Sequence, residues 1–387
     1  MNDIQSDAQE VWDVGIIGGG PAGALLAHQL AARGLRTLVI DRAVMPRWKV
    51  CGACLNETAL ETLRHAGLQE TLRDLPSIPL DDLYLYCGGQ TAKVPLGPGC
   101  VVSRSRFDFS LLSAAVRHGA KVLTGVAARL GPVYRDYRAV QLGGGKSAGT
   151  IKARVVVIAA GLGGESLLNA RAKAATYESS PRVGVGAVMT NAPSNYEPRH
   201  VYMAVAREGY VGLVRQEDGS LNIAAALDRS AVRLLRSPAA VVEAVLESVG
   251  LPCGAGLPDA HWQGTAPLQR RPTRLGDTRV FLVGDAAGYV EPFTGEGIAW
   301  ALDGAVRLAP IVEKATVRWD DALLDEWRMA CQVSTARRKR VCSLIAAGLS
   351  HCRWVAAVTR LLGAFPALAR PLVRFIGNQT LAARRTI

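Results

Sequence analysis

Two kinds of hydrophobic pattern alternate along this chain. The first is a short apolar stretch closed by polar or glycine-rich residues, found at Asp13 to Ile17, Arg36 to Ile40, Lys121 to Val126 and Arg154 to Ala160. Runs of this length, rich in Val, Ile and Leu and without strict alternation, predict strands buried on both faces of a parallel sheet. The second pattern has helical spacing and covers Pro21 to Arg33, Asn56 to Gly67 and Phe107 to His118. Gly67 and Gly119 stand where those last two helices should stop, and Asp108 sits near the start of the third. Strand, helix and strand over residues 13–40 make one βαβ unit.

After about residue 180 the character changes. RVGVGAVMT and HVYMAVAREGYVGLVRQEDGSLNIAAAL break into short strands, with turns at Arg207-Glu208-Gly209 and Glu217-Asp218-Gly219, which predicts an antiparallel sheet. The parallel-sheet style returns at RVFLVGDAAG, a helix follows from Gly295, and residues 319–387 read as helical. The expected fold is therefore α/β. A Rossmann-like GxGxxG domain is assembled from 1–80, 100–178 and 275–315, with an antiparallel substrate domain (81–99 and 179–274) inserted and a basic helical C-terminal region over 316–387.

Composition adds three constraints. The chain has 387 residues, 49% of them hydrophobic, enough for a large core and two or three domains. Eight cysteines without a framework spacing, and a polar N-terminus without an apolar leader segment, predict free thiols and a cytoplasmic location. No uncharged apolar run approaches the roughly 18 residues that a spanning helix needs. The net charge of +12 is unevenly placed: residues 336–387 hold ten Lys/Arg and no Asp/Glu, leaving 35 basic against 33 acidic groups elsewhere. The body is nearly neutral, so the overall charge gives no ground for nucleic-acid binding.

The chemistry is carried by two glycine-rich turns. Gly18, Gly20 and Gly23 lie between a strand and a helix opened by Pro21 and Ala22. In that context Gly18 permits the tight turn, Gly20 admits a pyrophosphate, and Gly23 lets helix pack on strand. Asp41 ends the second strand, placed to accept from ribose hydroxyls, with Arg42 beside it. Far downstream, an apolar strand delivers Gly284-Asp285, and Gly295-Glu296-Gly297-Ile298 open a helix whose backbone N–H groups suit an electron-rich carbonyl or ring nitrogen. The six histidines show no metal spacing, and no metal site is expected.

Together these stretches resemble the flavoprotein group of aromatic hydroxylases, geranylgeranyl reductases and flavin-dependent halogenases, over residues 11–310. The resemblance implies FAD, with the first motif on its ADP part, Asp285 at the ribityl chain and Gly295 to Gly297 beside the isoalloxazine. PRWKVCG is similar to the Pro-x-x-Lys-x-Cys-Gly signature of geranylgeranyl reductase-like members, matched by Pro46, Lys49, Cys51 and Gly52. RSRFD matches Arg-x-x-Phe-Asp and makes Arg104 the implied flavin-side arginine. Lys49, Cys51 and Tyr210 are the candidate catalytic residues. Cys51 and Cys54 also spell C-x-x-C, open to a redox-dithiol reading or to one as small buried residues.

Two departures sharpen the picture. The hydroxylase Ala-Asp-Gly is Ala159-Ala160-Gly161 here, and the halogenase Gly-Trp-x-Trp-x-Ile-Pro is replaced by EGYVGLVRQ, with neither tryptophan. The expected function is an FAD-dependent oxidoreductase reducing a carbon–carbon double bond in a hydrophobic, isoprenoid- or polyketide-like substrate. NAD(P)H or a reduced-flavin or ferredoxin-type donor supplies the electrons. A flavin monooxygenase using dioxygen is the alternative, ahead of a halogenase or a non-redox cyclase. In the basic tail, Trp354, Val358, Leu361 and Phe365 recur at three- and four-residue steps, with Arg353 and Arg360 on one face. That pattern fits a membrane-surface helix and equally a helix packed on the body with a solvated basic face.

Overall fold

A computed structural model describes residues 10–143, 149–168, 182–268, 272–290, 295–332, 348 and 351–368. Five strands lie side by side and parallel, in the order Lys121–Thr124, Thr37–Asp41, Val11–Ile17, Gly149–Ile158 and Val280–Leu282. All five residues of Thr37–Asp41 are buried, as expected of a strand covered on both faces. One face carries the helices Pro21–Ala32, Arg104–Arg117 and Gly297–Val317, whose apolar side chains join those of Val14, Ile16 and Val39 in the main core. The other is covered by the hairpin Ala127–Val133 and Arg138–Gly143, through Leu130, Val140 and Leu142.

That hairpin was not anticipated from sequence. It pairs with the first half of Gly149–Ile158, so this strand starts five residues before the apolar run at Arg154 that marks its buried part. The helix Arg104–Arg117 likewise begins three residues ahead of Phe107, because the Ser103 side chain caps it by accepting from the Arg106 N–H. Asn56 caps Glu57–His65 in the same way, accepting from the Ala59 N–H.

The second sheet has seven strands in the order Gln263–Pro267, Arg182–Met189, Leu221–Asp228, Gly209–Arg215, His200–Ala206, Asp82–Cys87 and Gln90–Pro95. Every neighbouring pair is antiparallel except His200–Ala206 with Asp82–Cys87. Strand alternation divides its side chains between two environments. Tyr202, Ala204, Val211, Leu213, Ile223 and Leu227 pack beneath the helix Pro238–Ser248, while Val201, Met203, Tyr210, Gly212 and Val214 face a cavity. The helices Arg229–Leu235 and Pro238–Ser248 follow the strands and were not read from sequence, although Ser237-Pro238 is a plain helix start, with Ser237 accepting from the Ala240 N–H.

The C-terminal helices divide between the two sheets. Helix 322–332 packs on the parallel sheet, where the buried Trp327 donates its indole N–H to the Leu282 carbonyl at 3.0 Å. The helix Cys352–Ala364 lies on Asp82–Cys87 and Gln90–Pro95. The expected helical stretches at 333–347 and 369–387 lie outside the described residues.

Candidate functional site

The three glycines of the first motif do different work. Gly18 has φ +112°, and a Cβ there would stand 2.4 Å from the Ala159 carbonyl oxygen; at Gly23 it would stand 1.9 Å from that of Gly18. Both are dictated by the protein's own backbone packing. At Gly20 the nearest atoms to such a Cβ are guanidinium nitrogens, Arg47 at 3.8 Å and Arg104 at 3.9 Å. The missing side chain therefore leaves open a cradle bounded by two cations and the N-terminus of Pro21–Ala32, whose first N–H groups have no intrahelical acceptor. A pyrophosphate satisfies all three, so the residues present fit the phosphates of FAD.

A buried charge network fixes those guanidiniums. Arg104 donates to both oxygens of Asp108, Nε to Oδ1 at 2.9 Å and Nη2 to Oδ2 at 2.7 Å, and Asp108 is fully buried. Arg47 shares the same carboxylate at 3.2 Å and reaches Asp41 at 3.7 Å. Burial opposes the charge on Arg104, but the Asp108 carboxylate more than offsets it and holds Arg104 protonated far above neutral pH. Asp41 accepts from the Gly19 N–H at 2.8 Å and the Ala43 N–H at 2.9 Å, which leaves carboxylate lone pairs for a further donor. Arg42 is exposed and lies off the cavity wall.

The cavity starts at Gly20, Pro21 and Ala22 and has a volume of about 1020 Å³. Lys49, Cys51, Gly52, Arg104, Gly284 and Asp285 line it next, together with Gly295 to Ile298 at the N-terminus of Gly297–Val317. Gly284 and Gly295 both have positive φ, +65° and +72°, consistent with turns that only glycine takes easily. The Pro-Phe-Thr part of the second motif, 292–294, lies outside the described residues.

Lys49 reaches across to Gly161, where its Nζ stands 2.8 Å from the position of an added Cβ. Desolvation in the cleft, reinforced by the Arg104 charge, lowers its pKa below the ordinary lysine value, with Asp285 opposing. Cys51 lines the cavity together with Arg104. Its carbonyl accepts from Asn222 Nδ2 at 2.8 Å, tying this loop to the antiparallel sheet. Cys54 lines the same cavity across the left-handed turn at Ala53 (φ +56°), and burial pushes its thiol pKa up.

Beyond this junction the wall is apolar: Leu85, Val201, Met203, Tyr210 and Ala226 from the seven-stranded sheet, then Val355 and Leu362 from Cys352–Ala364. Tyr210 and Gly212 face the cavity from one strand face. The structure thus gathers Lys49, Cys51, Gly52, Tyr210, Arg104, Asp285 and the Gly295–Ile298 turn around one space, with Gly18, Gly23 and Asp41 just behind it.

Sequence reasoning missed Arg47, Asn222 and the cavity-lining helix residues. Arg47 sits inside the quoted PRWKVCG, and the signal that could have found it was a basic residue just after a strand ending in Asp41. Asn222 gave no signal, because its role depends on a partner 171 residues away.

The sequence model of the FAD binding domain matches residues 11–337. The chain is 27% identical over 338 residues to conditioned medium factor receptor 1 of Dictyostelium discoideum, 80% of this chain but only 64% of that longer protein. It is 26% identical over 319 residues to digeranylgeranylglycerophospholipid reductase 3 of Methanosphaera stadtmanae, covering 78% and 77% of the two chains. To menaquinone reductase of Mycobacterium tuberculosis it is 27% identical over 350 residues, covering 84% and 82%. The fold is shared with flavin-dependent brominase Bmp2, at a TM-score of 0.72, 17% identity and coverage of 96% and 100%. With a glycine cradle that leaves room for a pyrophosphate and a family match across most of its length, this chain belongs to the FAD binding domain family of flavin-dependent oxidoreductases.

Proposed function

We propose that this protein reduces a carbon–carbon double bond in a hydrophobic, isoprenoid- or polyketide-like substrate. The observation that carries this is the continuity of one cavity. Its polar end is the FAD cradle, and its other end is walled by Val201, Met203, Leu85 and Leu362. The prenyl-lipid and quinone reductases among the relatives support the same reading. When bound, reduced FAD supplies the hydride for such a reduction, renewed from NAD(P)H or a reduced-flavin or ferredoxin-type donor.

The chain's own residues position, shield and protonate. The apolar wall holds the alkene and excludes water. A two-electron reduction of an alkene also needs one proton, and Lys49 holds one at Nζ where the apolar arm meets the cradle. Its lowered pKa brings the ammonium closer to the pH at which it both carries a proton and releases it readily. Cys51, its backbone anchored by Asn222, lines the cavity at the same junction. Tyr210 bounds the substrate side.

The test is turnover of FAD-loaded protein with a prenylated alkene and a chemical reductant under argon. A product two mass units heavier than substrate, formed without dioxygen, is expected. Product that appears only when dioxygen is admitted, sixteen units heavier, makes the protein a monooxygenase instead.

A further inference from the structure

The helix Cys352–Ala364 carries three distinct stripes. At about 100° per residue, Val355, Thr359 and Leu362 fall together, and all three are buried against the strands beneath. Trp354, Val358, Leu361 and Phe365 form a second stripe about 90° around the axis, exposed at 71%, 45%, 48% and 59%. Arg353 and Arg360, both exposed, form a third, about 120° from the apolar stripe on the same exposed arc.

Exposed apolar side chains are ordinary when scattered, but these are not scattered. Of the fourteen large exposed hydrophobics among the described residues, five, counting Leu368, fall between 354 and 368. That concentration makes a patch. Trp354 and Val358 also line the cavity, so the patch borders the place where the apolar arm reaches the surface. The surrounding segment, 336–387, bears ten basic and no acidic residues.

We propose that this face docks on an anionic lipid bilayer, the apolar stripe entering at headgroup level and the arginine stripe lying on lipid phosphates. Hydrophobic substrate then passes between the bilayer and the cavity beside Trp354. An amphipathic helix with an apolar stripe flanked by arginines binds such surfaces by burying the first and pairing the second. A second copy of the chain is the poorer occupant, since it would bring two such cationic segments together. Attachment is peripheral: no helix among the described residues is long and apolar enough to cross a membrane. The substrate-transfer clause rests on the cavity holding a hydrophobic substrate; docking itself does not depend on the reaction.

The experiment is co-sedimentation of the full, FAD-loaded chain with vesicles of phosphatidylcholine, alone or with one part in about three of phosphatidylglycerol. Binding at least about tenfold stronger to the anionic vesicles, and weakened by salt, is expected. The double variant Leu361→Glu/Phe365→Glu should lose that binding while keeping its flavin absorbance and circular dichroism spectrum. Equal binding to neutral vesicles, no binding, or unchanged binding by the variant overturns the proposal. So does a change of the variant from dimer to monomer in sedimentation velocity, which would make the face a self-contact. Vesicle binding without anaerobic alkene reduction would sink the reaction assigned above and leave docking standing; reduction without vesicle binding would do the reverse.

Discussion

The two ends of the cavity are built by opposite means. At the cradle, backbone and fixed charge act: Gly18, Gly20, Gly23, a bare helix N-terminus, and Arg47 and Arg104 locked by Asp41 and Asp108. At the substrate end, side-chain volume on one sheet face and one helix defines the space, with Gly212 and Ala226 leaving room that larger residues would fill. Under the function proposed above, the difference follows from the ligands. A pyrophosphate is met by donors at fixed positions, so the protein spends rigid, buried polar structure on it, whereas a hydrophobic substrate needs only shape and dryness. Substitutions in the packed and charged supports of the cradle should therefore threaten folding, and those at the apolar end should change selectivity first.

The largest expected effect is at Asp108. Asp108→Asn removes the carboxylate that neutralises two guanidiniums and leaves Arg104 a buried cation, costing about 3–5 kcal/mol in urea unfolding. Next comes the glycine pair. Gly23→Ala drives a methyl into the Gly18 carbonyl and should cost about 3 kcal/mol. Gly20→Ala meets nothing closer than 3.8 Å, so it should keep its unfolding midpoint and lose about tenfold or more in FAD affinity, measured by fluorescence titration. Equal destabilisation by the two would erase the distinction between a glycine kept for packing and one kept for the ligand.

At the junction, Lys49→Met should lower the reduction rate about 100-fold without lowering stability, because burial already disfavours the ammonium in the folded state. The sign of the pH dependence follows from the same shift. The lowered pKa means the proton is lost before the ordinary lysine range is reached, so the rate falls as pH rises through it, and Lys49→Arg moves that limb upward. A rate profile identical in both variants would remove Lys49 from the proton step. The smallest effect belongs to the apolar end: Ala224→Leu should raise KM for a long prenyl substrate about tenfold while changing stability by less than about 1 kcal/mol.

What could be read from sequence divides along the same line. Gly18, Gly20, Gly23 and Asp285 were legible because a turn next to a strand imposes local residue types. Four strands of the second sheet were legible from short apolar runs between turns, while Asp82–Cys87, Gln90–Pro95 and Gln263–Pro267 were not read, and such runs do not say what covers each face. Nothing in LNIAAAL distinguishes Ile223, under a helix, from Ala224 and Ala226, in the cavity wall. The hairpin over 127–143 lacked the apolar density that marks the central strands, being exposed along much of Ala127–Val133. Asn222 acts through a partner 171 residues away, and no local pattern encodes it.

The helix Cys352–Ala364 closes another such connection. Cys87 donates its thiol to the Cys352 carbonyl at 3.5 Å across 265 residues, and Gly363 presses so close to the Thr91 backbone that a Cβ would stand 2.7 Å from its oxygen. During synthesis, everything this helix covers has left the ribosome before it does. The hairpin of Asp82–Cys87 and Gln90–Pro95 must therefore wait with an open flank, its terminal strand free to pair with the wrong neighbour. The residues of the cradle are all made by the end of Gly297–Val317, whereas the apolar arm acquires Val355 and Leu362 of its wall only with Cys352–Ala364.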